Sequence, residues 1–308
     1  MSFDNTSELK FGQYFDHKAL IDCLNFLENK YDFINVSILG NSILGKSIPI
    51  VTLGKGKKSV LYIGSHHGME WITSAILISF LNDFCYEFVR GKHMQDISSR
   101  VIFETRKLII VPMLNPDGID YQIHGLQDNN VIKDRVTRMN SGSSDFSKWQ
   151  ANARGVDLNH NYASGFEEYK ILERKLGIYG GCPTKYSGEY SESEPETKSL
   201  CNYVRIQCPD LAISLHTQGE EIYYTNRECC AYSSLPIVQT FSRLTGYKIS
   251  LPTGTARYGG FTDWFIEEFN RPSFTFECGL GVNPLPFSEL NTVYNKLKRA
   301  LFTAPILI

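Results

Sequence analysis

Three short runs of almost uninterrupted apolar residues, 59–64, 108–113 and 211–215, limit how this chain can fold, and Ser273–Glu277 reads as another buried strand. Each run is too short for a core helix and too uniformly apolar for a strand with one wet face, so each suits a strand covered on both faces. The first run leads directly into residues 73–90, where Leu77, Leu81, Phe84 and Phe88 recur at helical spacing and form one stripe that packs on a sheet. Residues 33–39 and 47–53 predict two more strands, the second near a sheet edge because it contains Pro49. Strands alternating with helices predict an α/β fold: one domain, with a mixed, largely parallel central β-sheet and helices on both faces. Residues 1–32 read as an N-terminal extension packed on that domain, and 33–308 as the domain itself. The polar stretch 122–161 and the Gly/Ser-rich 178–196 predict surface loops that carry function.

Charge and composition remove several classes of activity. With 31 Lys+Arg against 33 Asp+Glu the formal charge is −2, too little positive field to hold a nucleic-acid backbone. No apolar run approaches the ~18 residues of a membrane span. The residues from Met1 to Glu8 lack a basic region followed by an apolar one, so no secretory signal is readable and the expected address is the cytoplasm. Eight cysteines occur without a CxxC pair, as expected of reduced structural thiols; the adjacent Cys229 and Cys230 are the odd feature.

Residues Gly40 to Ser47 match the phosphate-binding pattern GxxxxGK[ST] letter for letter. That pattern works only when a helix follows, presenting its N-terminus to the phosphates. Here Ile48, Pro49, Ile50, Val51 and Thr52 follow, a β-branched run with a proline, so the segment predicts a turn into a strand and no nucleotide site.

His67 and Glu70 stand three apart just after the apolar run ending at Gly64, and His216 follows a second apolar run. Two imidazoles and a carboxylate from strand ends form a donor set that leaves zinc one open position. Asn115-Pro116-Asp117-Gly118 is a turn after a third run, Ala153 to Asn159 reads ARGVDLN, and Glu277 ends the last apolar strand. No GxSxG elbow occurs, so a serine nucleophile has no support.

In this order the motifs resemble the zinc metallocarboxypeptidases of the carboxypeptidase A type, from about residue 40 to 286. The resemblance implies one Zn2+ per chain held by His67, Glu70 and His216, with Glu277 taking the proton of the attacking water. It implies that Arg138 stabilises the oxyanion, with Arg135 as the nearby competitor, and that His66 is a neighbour of the metal ligands. The family's Asn-Arg pair for a substrate C-terminal carboxylate aligns with Asn159 and His160. An imidazole does not replace an always-charged, bidentate guanidinium. The family's lid tyrosine aligns with Thr255, and Tyr258 lies near enough to substitute. Residues 139–149, 153–159, 216–223 and 260–265 look like the bacterial γ-D-glutamyl-diaminopimelate peptidase branch, whose members also lack that arginine. The resemblance therefore implies hydrolysis of the γ-D-glutamyl-(meso-diaminopimelate) amide of peptidoglycan stem peptides, with a muropeptide as partner. Arg257, and Glu220 or Glu221, are the residues expected to read the extra charges of such a substrate. The alternatives are a conventional zinc carboxypeptidase and an inactive zinc- or peptide-binding protein.

Overall fold

The computed structural model describes Leu9 and residues 11–308, apart from 92, 95, 96, 127–131, 226–230 and 232. Its main sheet has eight strands: β1 (Ile34–Asn41), β2 (Ser47–Leu53), β3 (Lys58–Gly64), β4 (Arg106–Val111), β5 (Leu211–His216), β6 (Glu221–Tyr223), β7 (Lys248–Ile249) and β8 (Ser273–Glu277). Their order across the sheet is β1-β2-β4-β3-β5-β8-β6-β7. The centre, β4-β3-β5-β8, is parallel, while β1-β2, β2-β4 and β8-β6 are antiparallel.

Period-two alternation splits the central strands between two cores. Val60, Tyr62, Leu108, Ile110, Leu211 and Ile213 face one core, together with the helices His17–Lys30, Ile72–Arg90, Ser234–Thr245 and Leu290–Thr303. Leu61, Ile63, Ile109, Val111 and Ala212 face the other, under Pro195–Gln207 and Phe261–Phe269. Both faces are thus dry, which is why these strands read as continuous apolar runs. Gly68–Arg90 is long and apolar enough to cross a membrane, yet eleven residues of its helix, from Ile72 to Cys85, are buried, nine of them in this core. It stops where Gly91 takes a left-handed φ of 61° and its N–H caps the carbonyls of Glu87 and Phe88. In the N-terminal segment, Asp16 caps His17–Lys30 by accepting from the Ala19 N–H, and Leu20, Leu24 and Leu27 enter the first core.

β2 lies near the sheet edge as expected, one strand in, with β1 outside it. Pro49 is tolerated there because β4 pairs only with Val51, Thr52 and Leu53, and the β1 register shifts between Ile38 and Gly40, opposite the proline. The polar stretch 122–161 is more than a surface loop. It contains the helix Lys133–Met139 and a small core of its own, in which Phe146, Trp149, Ala151 and Ala153 pack with Tyr121 and Val136. Cys23, Cys85, Cys182, Cys201, Cys208 and Cys278 are free thiols; Cys229 and Cys230 lie outside the described residues.

The turn between β1 and β2 carries the phosphate-binding look-alike, and Ser47 opens a strand. Its backbone is held by carboxylates: Leu44 N–H donates to Asp117 Oδ2 at 2.9 Å and Ile43 N–H to Glu196 Oε1 at 3.2 Å. Lys46 reaches Asp117 at 3.4 Å and Asp120 at 2.6 Å. Groups that would face phosphate in a nucleotide site are spent here on docking a hairpin.

Candidate active site

β3 ends at Gly64, and Ser65 turns the chain with a φ of 53°, a left-handed conformation unusual for a residue with a side chain. The elbow is tied to the start of the following helix. Ser65 Oγ lies 2.9 Å from Thr73 Oγ1 and 2.7 Å from Ser74 Oγ, and the Ser65 N–H donates to Thr73 Oγ1. The chain then runs through His66 and His67 into the short turn Gly68–Glu70.

The NPDG turn clamps this loop from the side. Asn115 Nδ2 donates to the carbonyls of His66 and Gln150, both at 3.0 Å, while its Oδ1 accepts from Gly118 N–H. Gly68 is pressed so close that a Cβ there would lie 2.4 Å from the Gly118 carbonyl oxygen and 2.9 Å from that of Trp149. Both neighbours are backbone and cannot swing away. Gly68→Ala is therefore expected to cost about 1–3 kcal/mol of stability by overpacking and to weaken metal binding, measured by thermal unfolding and by zinc titration.

His67 Nδ1 lies 2.9 Å from Glu70 Oε1, and His216 Nδ1, at the end of β5, lies 3.0 Å from Glu70 Oε2. One donor atom from each of the three falls within 4.8 Å of the others, a spacing that suits one cation. His67 Nε2 sits 3.0 Å from Asp157 Oδ1, so the ring is fixed with Nδ1 facing the centre. Asp157 also accepts from the N–H groups of Asn159 and Lys185. His66 is a neighbour of this centre. It stacks on His216, and its nitrogens face Tyr162 Oη at 2.9 Å and Ser214 Oγ at 3.3 Å. Burial holds its pKa well below that of a free imidazole.

Glu277 is brought beside His216 by the parallel register of β8 on β5. Burial, with the charge of Glu70 next in weight, pushes its carboxyl up to about 8. A divalent cation at the centre acts in the opposite sense and favours the carboxylate. Both residues open onto a cleft of about 600 Å³ including its mouth, which His67, Asn159 and His160 also line.

The remaining sequence-predicted residues divide. Asn159 Oδ1 accepts from the Phe261 N–H, and His160 Nδ1 lies 2.8 Å from the Tyr258 carbonyl oxygen. The His160 ring stacks on Tyr169 at 4.0 Å between centroids, and burial lowers its pKa, so it stays neutral at neutral pH. Thr255 lines the cleft, while Tyr258 and Arg257 are not among its lining residues. Glu220 pairs with Lys296 away from the centre, whereas Glu221 lies directly across from Glu277 on β6. Arg138 and Arg135 are exposed on Lys133–Met139, and neither is among the residues lining the cleft. Sequence reasoning missed Asp157, two residues before Asn159, as the partner of His67. It also missed Tyr223, Thr225, Thr262, Asp263 and Thr275 as cleft wall. The adjacency of Asp263 to Trp264 after the Gly-Gly turn was the available signal for that wall.

A mixed sheet whose parallel strands deliver two imidazoles and a carboxylate to one point, beside a second buried carboxylate, defines a metallohydrolase. Residues 20–300 match the zinc carboxypeptidase (peptidase M14) family, and the chain belongs to it. It is 34% identical over 285 residues to γ-D-glutamyl-L-diamino acid endopeptidase 1 of Lysinibacillus sphaericus, covering 92% of this chain and 70% of that one. The solved thrombin-activatable fibrinolysis inhibitor superposes with a TM-score of 0.74 at 20% identity, over 98% of this chain and 79% of that one. The murein-tripeptide amidase MpaA from Escherichia coli O157 gives 0.52 at 18% identity, over 87% and 91%. The protein is a zinc metallopeptidase with the carboxypeptidase fold, and the donor geometry fits one zinc ion.

Proposed function

We propose that this enzyme hydrolyses the amide bond between the γ-carboxyl of D-glutamate and a diamino acid such as meso-diaminopimelate in peptidoglycan stem peptides. The observation that carries the reading is His160. A conventional carboxypeptidase needs a fixed cation to hold the substrate's terminal carboxylate. Here that position holds a neutral imidazole locked between the Tyr258 carbonyl and the Tyr169 ring. The similarity to the L. sphaericus enzyme supports the same substrate class.

When bound to His67, Glu70 and His216, zinc supplies a Lewis acid that polarises the scissile carbonyl and acidifies water. Asp157 holds His67 in the ligating tautomer. Glu277 takes the proton from the attacking water and returns it to the leaving amine. Asn159 Nδ2, its Oδ1 already engaged by the Phe261 N–H, is the donor that orients substrate at the cleft floor. Arg257, close in sequence to Thr255 on the cleft wall, meets the free α-carboxylate of the D-glutamyl residue at the rim.

Mass spectrometry of the products from L-Ala-γ-D-Glu-meso-diaminopimelate and its D-Ala-extended tetrapeptide tests the reading. Free diaminopimelate from the first and the diaminopimelyl-D-Ala dipeptide from the second are expected. Release of D-Ala alone from the tetrapeptide, with the tripeptide intact, returns the enzyme to conventional carboxypeptidases.

A further inference from the structure

We infer that His66 is a positioning residue for the metal: its ring, locked at both nitrogens, fixes the orientation of the ligand His216. The inference concerns the metal centre and holds whichever peptide is the substrate.

The two ligating imidazoles are held differently. His67 Nε2 lies 3.0 Å from Asp157 Oδ1, whereas His216 Nε2 is buried and has no hydrogen-bond partner among the described residues. Ligating histidines ordinarily have that outer nitrogen bonded, which sets the rotation of the ring. Without such a bond the torsion about Cβ–Cγ is soft, and packing must define it. His67 meets the His216 ring edge-on, with centroids 4.9 Å apart and planes at 60°. A flat face of His216 is covered by His66 instead, at 5.2 Å and 22°.

A stacked ring orients its neighbour only if it cannot turn itself, and His66 is secured at three atoms. Its Nε2 lies 2.9 Å from Tyr162 Oη, its Nδ1 lies 3.3 Å from Ser214 Oγ, and its carbonyl oxygen accepts from Asn115 Nδ2 at 3.0 Å. A neutral imidazole carries one donor and one acceptor, and a hydroxyl can answer either. His66, Tyr162 and Ser214 are all fully buried, away from bulk water. An aliphatic residue would fill this space with no polar atom to satisfy. What the imidazole adds is a tilt set from both ends.

The anchors belong to different parts of the site. Ser214 precedes His216 by two residues on the same face of β5, so the strand that carries the ligand also holds the ring stacked on it. Tyr162 belongs to the segment of Asn159 and His160, and its N–H donates to the Gly259 carbonyl. His66 therefore joins the elbow that carries His67 to the strand that carries His216.

The test combines zinc affinity, by competition with a chromogenic chelator, with absorption spectra of the cobalt(II)-loaded protein and melting of the metal-free protein. His66→Leu keeps apolar bulk and loses the ring with its ties. It is expected to raise the zinc Kd by about 10–100-fold and to shift the cobalt ligand-field bands. Ser214→Ala and Tyr162→Phe each release one nitrogen and are expected to raise the zinc Kd by about 3-fold or more. Neither adds its full effect in the His66→Leu background, because both act through the same ring. Full additivity would overturn the inference. So would a His66→Leu protein with a zinc Kd within about 2-fold of the unmodified one and unshifted cobalt bands, only its metal-free melting temperature being lower; His66 would then be a packing residue. Should His66→Leu fold poorly, the two anchor variants decide, and zinc binding by both within about 2-fold of the unmodified protein overturns the inference.

Discussion

Glu277→Gln is expected to lower kcat by about 10³-fold, in keeping with the loss of a positioned general base, while the protein still binds one zinc ion per chain. The amide fills the same space on β8 but cannot take a proton, and the three metal ligands are untouched. Rates of diaminopimelate release, with metal content measured on the same sample, check both halves. A fall of only a few-fold would place proton transfer elsewhere. The metal-free protein provides a control that separates chemistry from folding. Burial holds the Glu277 carboxyl at about 8, above its value in an unfolded chain. A raised acid destabilises the fold as pH rises through the interval between the two values, because the unfolded chain releases its proton first. Metal-free enzyme should therefore lose stability between about pH 4.5 and pH 8 through this group, and Glu277→Gln should lose less over that interval. Denaturant midpoints across pH give the comparison.

Removal of the metal is expected to abolish hydrolysis and lower the melting temperature, with zinc restoring both. The physical basis is the packing of ionised and imidazole groups that a cation reconciles. Glu70, 2% exposed, is gripped between two rings. Zinc present at ~1,000 times its Kd would add about 4 kcal/mol to folding. Asp157→Asn is expected to weaken zinc binding by about 10–100-fold, since an amide no longer fixes His67 as a carboxylate does. Competition with a chromogenic chelator measures this. An unchanged affinity would mean that the Asp157 contact does not orient the ligand.

The sheet and the metal triad were legible in the sequence for one physical reason. Central strands buried on both faces must be apolar throughout, and ligands attached to their ends inherit fixed positions. His67, Glu70 and His216 follow such ends and read as a candidate donor set, while their assignment as ligands and that of Glu277 as base came from the family resemblance. Residues on longer connections carry no such signal. Arg138 was aligned by motif order across the stretch 122–161, where a separate small core around Trp149 sets the path of the chain, and the structure leaves it exposed. Asp157 was visible as a motif letter, but its contact with His67 spans 90 residues and has no local signature. The cleft wall was hidden for a similar reason. Thr225, Thr262 and Thr275 come from a loop, a helix and a strand, and an isolated threonine carries no periodic signal. Pro49 was a sound local signal: it placed β2 near an edge, and only β1, whose register shifts opposite the proline, lies outside it.

The close apposition of Gly68 and Gly118 bears on any attempt to rebuild this centre in another scaffold. The elbow at Ser65, the NPDG turn and the segment from Gln150 to Asp157 are keyed to one another by backbone and side-chain contacts. They would have to be transplanted as one cassette, since a graft of the HxxE loop alone would arrive without the surfaces that give it shape.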